Sequence, residues 1–363
     1  MAMKPVPKVQ LRARMSAGWL RTVVPVGAIV AALLVALLII AATGSSVTEA
    51  LAAFWDGMVG SDYNIGASIN RAISLGFVGL GFIFANRANL TNVGGEGQIA
   101  VGGMIATAAA LHGAAPLPFG LAFIVPLLAG TLAGALWGGL AGLLKATRGT
   151  NEVISTLLLS FIALPLVYWS VESLHLLRKP MTEVSSLPES AEIADPTKLP
   201  MLFASDATSP LHIGLPLFIV ATIVVWIVLT RSAFGLRLRA AGLNELASRR
   251  AGIRTGRLIV WSMAVAGGLG GLAGAILIQG QNFYLTSEFS SGYGFDGLVV
   301  GLLSRGSALG VVLGALLFGF LRSGSISMEI TAHVPAAVVL ISQGLIVIAI
   351  AGSAMLVDAK TGR

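Results

Sequence analysis

The chain has 363 residues, of which 56% are hydrophobic and only 11% are charged, and its formal net charge is +7. Ordinary soluble domains carry about a quarter charged residues, so this composition excludes a soluble domain and indicates an all-α, polytopic transmembrane helical bundle. The chain has no cysteine and its four histidines are scattered along the sequence, which excludes thiolate sites and predicts no metal site and no cofactor.

The first element in chain order is a basic N-terminal segment. Residues 1–22 contain five Lys and Arg residues and precede an uninterrupted apolar stretch over 23–42. A secretory signal begins in the same way, but its apolar core is only about 7–15 residues long. The stretch in this chain is about 20 residues long and suffices to cross a bilayer. We therefore predict that it is kept as the first span.

Further apolar stretches predict a transmembrane permease domain over 23–355, followed by a short C-terminus at 356–363. The ten predicted spans are 23–42, 65–85, 97–112, 117–144, 152–171, 211–230, 258–280, 294–304, 308–321 and 334–355. The third, eighth and ninth are short and rich in glycine. They are either full spans or re-entrant segments, which occur only where protein shields the backbone from lipid. The 45 glycines suit close contacts between membrane helices.

Charges in the loops predict the orientation of the spans. Loop 44–64 has three acidic and no basic residues, and loop 172–210 has six acidic and three basic residues. The connection 145–151 has two basic residues, and the segment 231–257, termed here the arginine-rich loop, has seven arginines and one glutamate. Because loops rich in Lys and Arg stay in the cytoplasm, we expect both termini in the cytoplasm. We expect the protein itself in the bacterial inner membrane. The basic residues then report orientation, and we expect no nucleic-acid partner.

Loop 172–210 is the longest predicted periplasmic segment and contains five prolines. It is too polar to span the bilayer and too short to form a sizeable domain. We expect an ordered cap or docking surface, with a flexible loop as the alternative.

Two segments of the chain resemble one another. GGEGQIAVGG begins at Gly94 and GFDGLVVGLL begins at Gly294, and each places an acidic residue at the start of a short helix rich in small residues. The predicted topology gives the two segments opposite directions, as an inverted repeat would. Glu96 and Asp296 then become equivalent positions, either as acidic residues at helix starts or with a direct role in transport.

Polar side chains at the ends of spans two, three and seven, together with Asp296 in span eight, are candidate solute contacts. Amides offer hydrogen-bond donors and acceptors without strong charge, as a neutral solute rich in hydroxyl or heterocyclic groups requires. Hydrogen bonds between helices explain the same residues equally well. The predicted pathway residues are Asn70, Asn92, Glu96, Gln98, Gln279, Asn282 and Asp296.

The arginine-rich loop contains the pattern of a short helix. Asn244 suits the N-cap, and Gly252 suits the end of the helix. A short helix at the surface between two long spans suits docking on another protein, and contact with anionic lipid is the alternative. The predicted contact residues are Asn244, Glu245, Ala247, Arg249, Arg250 and Gly252.

Sequence motifs of enzymes are missing from the chain. No G-x-x-x-x-G-K-[ST] motif occurs, so ATP hydrolysis would belong to a separate subunit. HExxH and GxSxG are also absent. We predict a transport subunit without catalytic residues.

Four segments together resemble a known family. They are FANRANLTNVGGEGQIAVGG (84–103), GTNEVISTLLLSFIA (149–163), GLNELASRRAGI (242–253) and GYGFDGLVVGLLSRGSALG (292–310). In this order they resemble the ABC-importer permeases of the branched-chain amino acid/ribose permease superfamily, nearest the nucleoside branch. The chain departs from the family pattern at Leu90–Val93, at Ser248 and at Ala308, and the first departure leaves the details of the substrate open.

The resemblance implies a type II ABC-importer fold and ATP-driven import by alternating access. The "EGQ" signature at 96–98 favours nucleosides as the solute. The resemblance also implies two cytoplasmic ATPase subunits, a related permease as partner in a heterodimer, and an extracytoplasmic substrate-binding lipoprotein. The helix at 244–253 would be the coupling helix. A ribose-like sugar or a branched-chain amino acid is the alternative substrate. An ion-coupled secondary transporter and a membrane scaffold are the alternative functions.

Overall fold

A computed structural model describes residues 27, 30–31, 34–42, 44–118, 120–180, 187–203, 208–335, 337–338, 341, 344–345, 348–349 and 352. These residues form helices with isolated β-bridges only, which confirms the all-α class. The α-helices whose two ends lie within the described residues are α1 (Val47–Val59), α2 (Asp62–Asn86), α3 (Gly95–Ala109), α4 (Leu121–Arg148), α5 (Glu152–Glu172), α6 (Gly214–Arg231), α7 (Ala233–Leu243), α8 (Glu245–Arg250), α9 (Thr255–Leu277), α10 (Tyr293–Leu303) and α11 (Ala308–Thr331). The chain divides into two compact units, one of Met1–Ser61 with Leu321–Arg363 and one of Asp62–Phe320.

Six of these helices are long and apolar enough to cross a membrane, namely α2, α4, α5, α6, α9 with the π-turn Ile278–Asn282 that continues it, and α11. They coincide with the predicted spans two, four, five, six, seven and nine. The predicted spans 23–42 and 334–355 are described only in part, and residues 34–42 of the first are helical. The predicted termini 1–22 and 356–363 lie entirely outside them.

The ninth span is longer than predicted. The sequence indicated 308–321, but α11 continues to Thr331 and has 24 residues. Polar residues such as Arg322, Ser323 and Ser325 end the apolar run without ending the helix, and both serines are buried. The eighth predicted span is α10, whose 11 residues extend for about 16 Å and cannot cross a hydrocarbon core of about 30 Å.

A glycine seam joins α4 to α3 and α9. Gly130, Gly134, Gly138 and Gly142 are spaced four residues apart, so they line one face of α4. A Cβ atom on Gly134 would lie 2.6 Å from the Cα of Gly271, and one on Gly130 would lie 2.7 Å from the carbonyl oxygen of Gly102. These backbones therefore touch, which confirms that glycines serve close helix approach.

The other face of α4 is apolar and exposed. Leu128, Leu132 and Leu136, also spaced four apart, are 56%, 64% and 73% exposed. Exposed leucines on one face and glycines on the other suit a helix that packs on protein on one side and faces lipid or another membrane protein on the other.

In the unit of Met1–Ser61 with Leu321–Arg363, α1 supplies part of a small apolar core. Its Ala50 packs with Ile40, Met328, Val334 and Val338. The side chain of Ser46 accepts a hydrogen bond from the backbone N–H of Glu49 and so caps the start of α1.

Loop 172–210 forms a cap over the end of α9 in its described parts, 173–180, 187–203 and 208–210. The backbone N–H groups of Ser190, Ile193 and Leu199 donate to the carbonyl oxygens of Leu285, Phe283 and Gln279 at 2.9, 2.8 and 2.9 Å. Ile193 and Leu199 are buried. Of the two predictions for this loop, the hydrogen bonds of these residues support an ordered cap and not a flexible loop.

Candidate translocation and coupling sites

The two short helices α3 and α10 begin beside one another in a contact termed here the helix junction (residues 92–98 with 290–294). A Cβ atom on Gly95 would lie 3.0 Å from the carbonyl oxygen of Gly294, and one on Gly294 would collide with the backbone of Glu96. Glycine at both positions therefore lets the first turns touch. Because a helix N-terminus carries a partial positive charge and free N–H groups, two adjacent N-termini require a negative group between them.

Glu96 supplies that negative group. Its Oε1 accepts hydrogen bonds from Ser290 Oγ at 2.6 Å and from the N–H of Gly292 at 3.1 Å, and its Oε2 accepts from the N–H of Gly294 at 2.7 Å. The side chain lies in the first turn of α3 and caps the start of α10, and Glu96 is only 3% exposed. The geometry therefore places Glu96 at a helix start, one of the two roles weighed from the sequence.

Asp296 lies in the first turn of α10 and is half-buried. The pair Glu96 and Asp296 thus occupies the first turns of the two short helices that the sequence compared. Their environments differ, because Glu96 is enclosed by backbone N–H groups and Asp296 is partly accessible.

Asn92 and Gln98 form a buried pair beside Glu96. Asn92 Nδ2 donates to Gln98 Oε1 at 3.0 Å, and Gln98 Nε2 donates to Asn92 Oδ1 at 3.1 Å. Two hydroxyl groups of α5 hold the same segment, since Thr156 Oγ1 accepts from the N–H of Val93 and Ser160 Oγ accepts from the N–H of Gly97. The amides therefore stabilise the start of α3 in this conformation.

Asn70, Gln279 and Asn282 donate hydrogen bonds to backbone carbonyl oxygens of other segments. Asn70 Nδ2 donates to Pro210 O at 2.7 Å, and Gln279 Nε2 donates to Thr197 O at 2.6 Å and Phe123 O at 3.0 Å. Asn282 Nδ2 donates to Phe289 O at 3.5 Å. The structure thus brings together Asn92, Glu96 and Gln98, whereas Asn70, Gln279 and Asn282 each bond to a different segment.

His212 is a buried polar residue that sequence reasoning passed over as an ordinary loop or helix-end residue. It precedes α6 and is 1% exposed, and its Nδ1 accepts a hydrogen bond from the N–H of Gly214 at 3.1 Å. Burial lowers the pKa of His212 to about 4, so the ring is neutral at neutral pH. Its Nε2 has no hydrogen-bond partner among the described residues. No spacing signal in the sequence marks this residue.

The arginine-rich loop forms the short helix α8 where the sequence predicted it. The side chain of Asn244 accepts from the N–H of Ala247 at 2.9 Å, which is the predicted N-cap. At the other end the N–H groups of Gly252 and Ile253 donate to the carbonyl oxygens of Arg249 and Ser248. This is a Schellman motif, and Gly252 adopts its left-handed conformation with φ of +82°.

The side chains of α8 divide between inward and outward contacts. Arg249 forms an ion pair with Glu245 at 2.6 Å and donates to Thr255 Oγ1 at 2.9 Å. Leu246 of α8 and Leu243, the last residue of α7, are 61% and 79% exposed. Apolar side chains exposed beside charged ones on a rigid helix form a surface suited to another protein.

Known proteins resemble the chain over most of its length. Residues 64–351 match the family described as branched-chain amino acid transport system / permease component. The guanosine ABC transporter permease protein NupP of Bacillus subtilis is 35% identical over 91% of this chain and 93% of its own. The glucose ABC transporter permease protein TsgB13 of Haloferax volcanii is 31% identical over 91% and 87%. The nucleoside ABC transporter permease protein NupB of Lactococcus lactis is 32% identical over 85% of each chain. No solved structure matches the chain.

Proposed function

We propose a substrate and a mechanism for this chain from one premise, that it belongs to the family of branched-chain amino acid transport system permease components. The chain is therefore a multi-pass membrane permease subunit of an ABC importer. Two of the relatives are named as permeases for guanosine or nucleosides, and one is named as a glucose permease. We infer that nucleosides are the substrate, and the 35% identity to a guanosine permease over 91% of this chain is the observation that supports it.

The proposed mechanism is alternating access driven by partner subunits. Two cytoplasmic ATPase subunits hydrolyse ATP, a second related permease completes the pathway as a heterodimer, and an extracytoplasmic lipoprotein delivers the nucleoside. Both termini lie in the cytoplasm and the protein resides in the bacterial inner membrane. The support is the charge of the loops, since the arginine-rich loop has seven arginines and loop 172–210 is acidic.

The proposed coupling contact is α8 with its flanking residues Asn244 and Gly252. Capping at both ends makes this helix rigid, and its exposed Leu246 and Arg250 are available to another subunit. Arg249 is a poor residue for testing the contact, because it also holds Glu245 and Thr255 within the loop.

We keep the seven predicted pathway residues as a proposal. The burial of their side chains indicates which of them a solute can reach. Asn282 and Asp296 are half-buried, whereas Asn70, Asn92, Glu96, Gln98 and Gln279 are buried. A solute can reach Asn282 and Asp296 with the least rearrangement. We therefore assign solute contact first to these two residues, and to the other five only in a conformation that opens their packing.

The function is tested by uptake into proteoliposomes that contain this permease with its partner permease, ATPase and binding lipoprotein. Radiolabelled guanosine should accumulate only when ATP is present on the side of the membrane that holds the ATPase. An excess of unlabelled glucose or leucine should not reduce this uptake. If glucose at a concentration equal to that of guanosine reduced the uptake, the proposed substrate would be a sugar and not a nucleoside. The matched control is the same complex with an ATPase variant that cannot hydrolyse ATP.

The rival functions give different results in the same vesicles. Uptake that continues without ATP and collapses with an ionophore would indicate an ion-coupled transporter. Such a transporter would need Glu96 or Asp296 as its ion site, and Glu96 already accepts three hydrogen bonds. No uptake of any solute by a fully assembled complex would indicate a scaffold.

A further inference from the structure

A cleft of about 560 Å³ lies beside the coupling helix, between α7, the end of α8 and the first turns of α9. Its polar side is formed by Arg237, Arg254 and Arg257. Its apolar side includes Phe234, Leu258 and Trp261. We refer to it as the arginine cleft.

The three arginines of this cleft have no acidic partner in the chain as far as the structure describes it. None of them takes part in an ion pair. Glu245 is the one carboxylate in the arginine-rich loop, and Arg249 binds it at 2.6 Å. Three like charges around one cavity repel one another. A bound anion removes that repulsion, and guanidinium groups bind phosphate oxygens through paired hydrogen bonds.

The position of the arginine cleft along α9 indicates the source of the anion. Trp261 lies in the second turn of this membrane-crossing helix and is 62% exposed. Trp226, near the end of α6, lies 5.9 Å from Arg231 in a cation–π contact. Exposed tryptophans beside arginines at the ends of spans mark the level of the lipid headgroups. The cleft therefore opens where phospholipid phosphates lie.

We propose that the arginine cleft binds the headgroup of an anionic phospholipid, with the phosphate among Arg237, Arg254 and Arg257 and an acyl chain along Trp261. A zwitterionic lipid has the same phosphate but also carries an ammonium group, which the three arginines repel. The cleft thus selects for net negative charge. This inference does not depend on which solute the permease carries.

The test is lipid binding to the purified full-length chain in detergent, measured by native mass spectrometry with phosphatidylglycerol and phosphatidylcholine. The cleft variant carries Arg237→Gln, Arg254→Gln and Arg257→Gln. The control variant loses the same charge through Arg148→Gln, Arg231→Gln and Arg239→Gln, none of which lines the cleft. We expect the wild-type chain and the control to prefer phosphatidylglycerol, and the cleft variant to bind it at least about tenfold more weakly.

Four results would overturn the proposal. The first is equal binding of the two lipids by the wild-type chain. The second is an equal loss in the cleft and control variants, which would indicate a diffuse charge effect. The third is displacement of bound phosphatidylglycerol when about 10 mM inorganic phosphate is added, which would indicate a site for free phosphate. A cleft variant that keeps its lipid preference but no longer assembles with the ATPase would assign the arginines to that subunit and also exclude the proposal.

Discussion

The helix junction and the arginine-rich loop place polar groups near the ends of membrane helices in opposite ways. In the junction, Glu96, Asn92 and Gln98 are buried and bond to groups of the same chain. In the loop, Arg250, Arg254 and Arg257 are exposed and form no ion pair within the described chain. A polar group away from water must be satisfied from inside the protein. Arginines left unpaired at the surface are satisfied by water instead, and they remain available to another molecule.

The largest effect on stability is expected when the carboxylate of the helix junction is removed. Glu96→Ala leaves the buried N–H of Gly294 and the half-buried N–H of Gly292 without their acceptor at the start of α10. We expect a loss of roughly 3–5 kcal/mol in the free energy of unfolding, seen as a lower midpoint of thermal unfolding in detergent. Glu96→Gln keeps one acceptor oxygen and should lose less.

The matched control for Glu96 is Glu288→Ala. Glu288 lies in the connection before α10 and is exposed, so its removal should leave the midpoint within measurement error. Wild-type stability in Glu96→Ala would show that the junction does not depend on the carboxylate.

A smaller effect is expected at His212, which is buried like the junction but only partly hydrogen-bonded. Its pKa is lowered from 6.5 to about 4 by burial, so the unfolded chain takes up a proton at a higher pH than the folded chain. Stability is therefore lost as the pH falls from about 6.5 towards about 4. Between about pH 7 and pH 5 the loss should be about 2 kcal/mol, measured as a shift of the unfolding midpoint.

His212→Asn removes the titrating ring and keeps an acceptor for the N–H of Gly214. This variant should lose most of the shift, whereas His175→Asn, at an exposed position, should keep it. The assignment to His212 would be wrong if the shift survived unchanged in His212→Asn.

The smallest effect on stability, and a large one on transport, is expected at Arg250. This side chain is exposed and forms no ion pair within the described chain, so Arg250→Glu should change the free energy of unfolding by less than about 0.5 kcal/mol. It should nevertheless reduce ATP-driven uptake, because it reverses a charge in the proposed ATPase contact. Arg239→Glu, on the neighbouring helix, is the charge-matched control. Normal uptake in Arg250→Glu would exclude the coupling role of this residue.

Local signals predicted the parts of the fold that depend on neighbouring residues. Asn244 and Gly252 bracket α8 because an N-cap and a left-handed C-terminal glycine act within one turn. The long apolar stretches likewise predicted α2, α4, α5, α6 and α9. The end of α11 was missed because an apolar window stops at Arg322, whereas the helix continues through serines that are buried by protein.

The candidate site was less predictable because its contacts join distant segments. The sequence placed Glu96 at a helix start, but its hydrogen bonds reach Ser290, Gly292 and Gly294, nearly two hundred residues away. Amides such as Gln279 look the same in sequence whether they bind a solute or the carbonyl oxygen of Thr197. Only the folded arrangement separates these uses, and it shows that each amide already has a partner.

The two caps of α8 have a mechanical consequence. The caps satisfy backbone groups at both ends of α8, and Arg249 donates a hydrogen bond to Thr255, the first residue of α9. In the proposed coupling, a displacement of α8 by the ATPase would therefore act directly on the start of α9. Helix α9 packs on α4 at the glycine seam, where the backbones of Gly134 and Gly271 touch, so a displacement of α9 would pass to α4 through direct backbone contact.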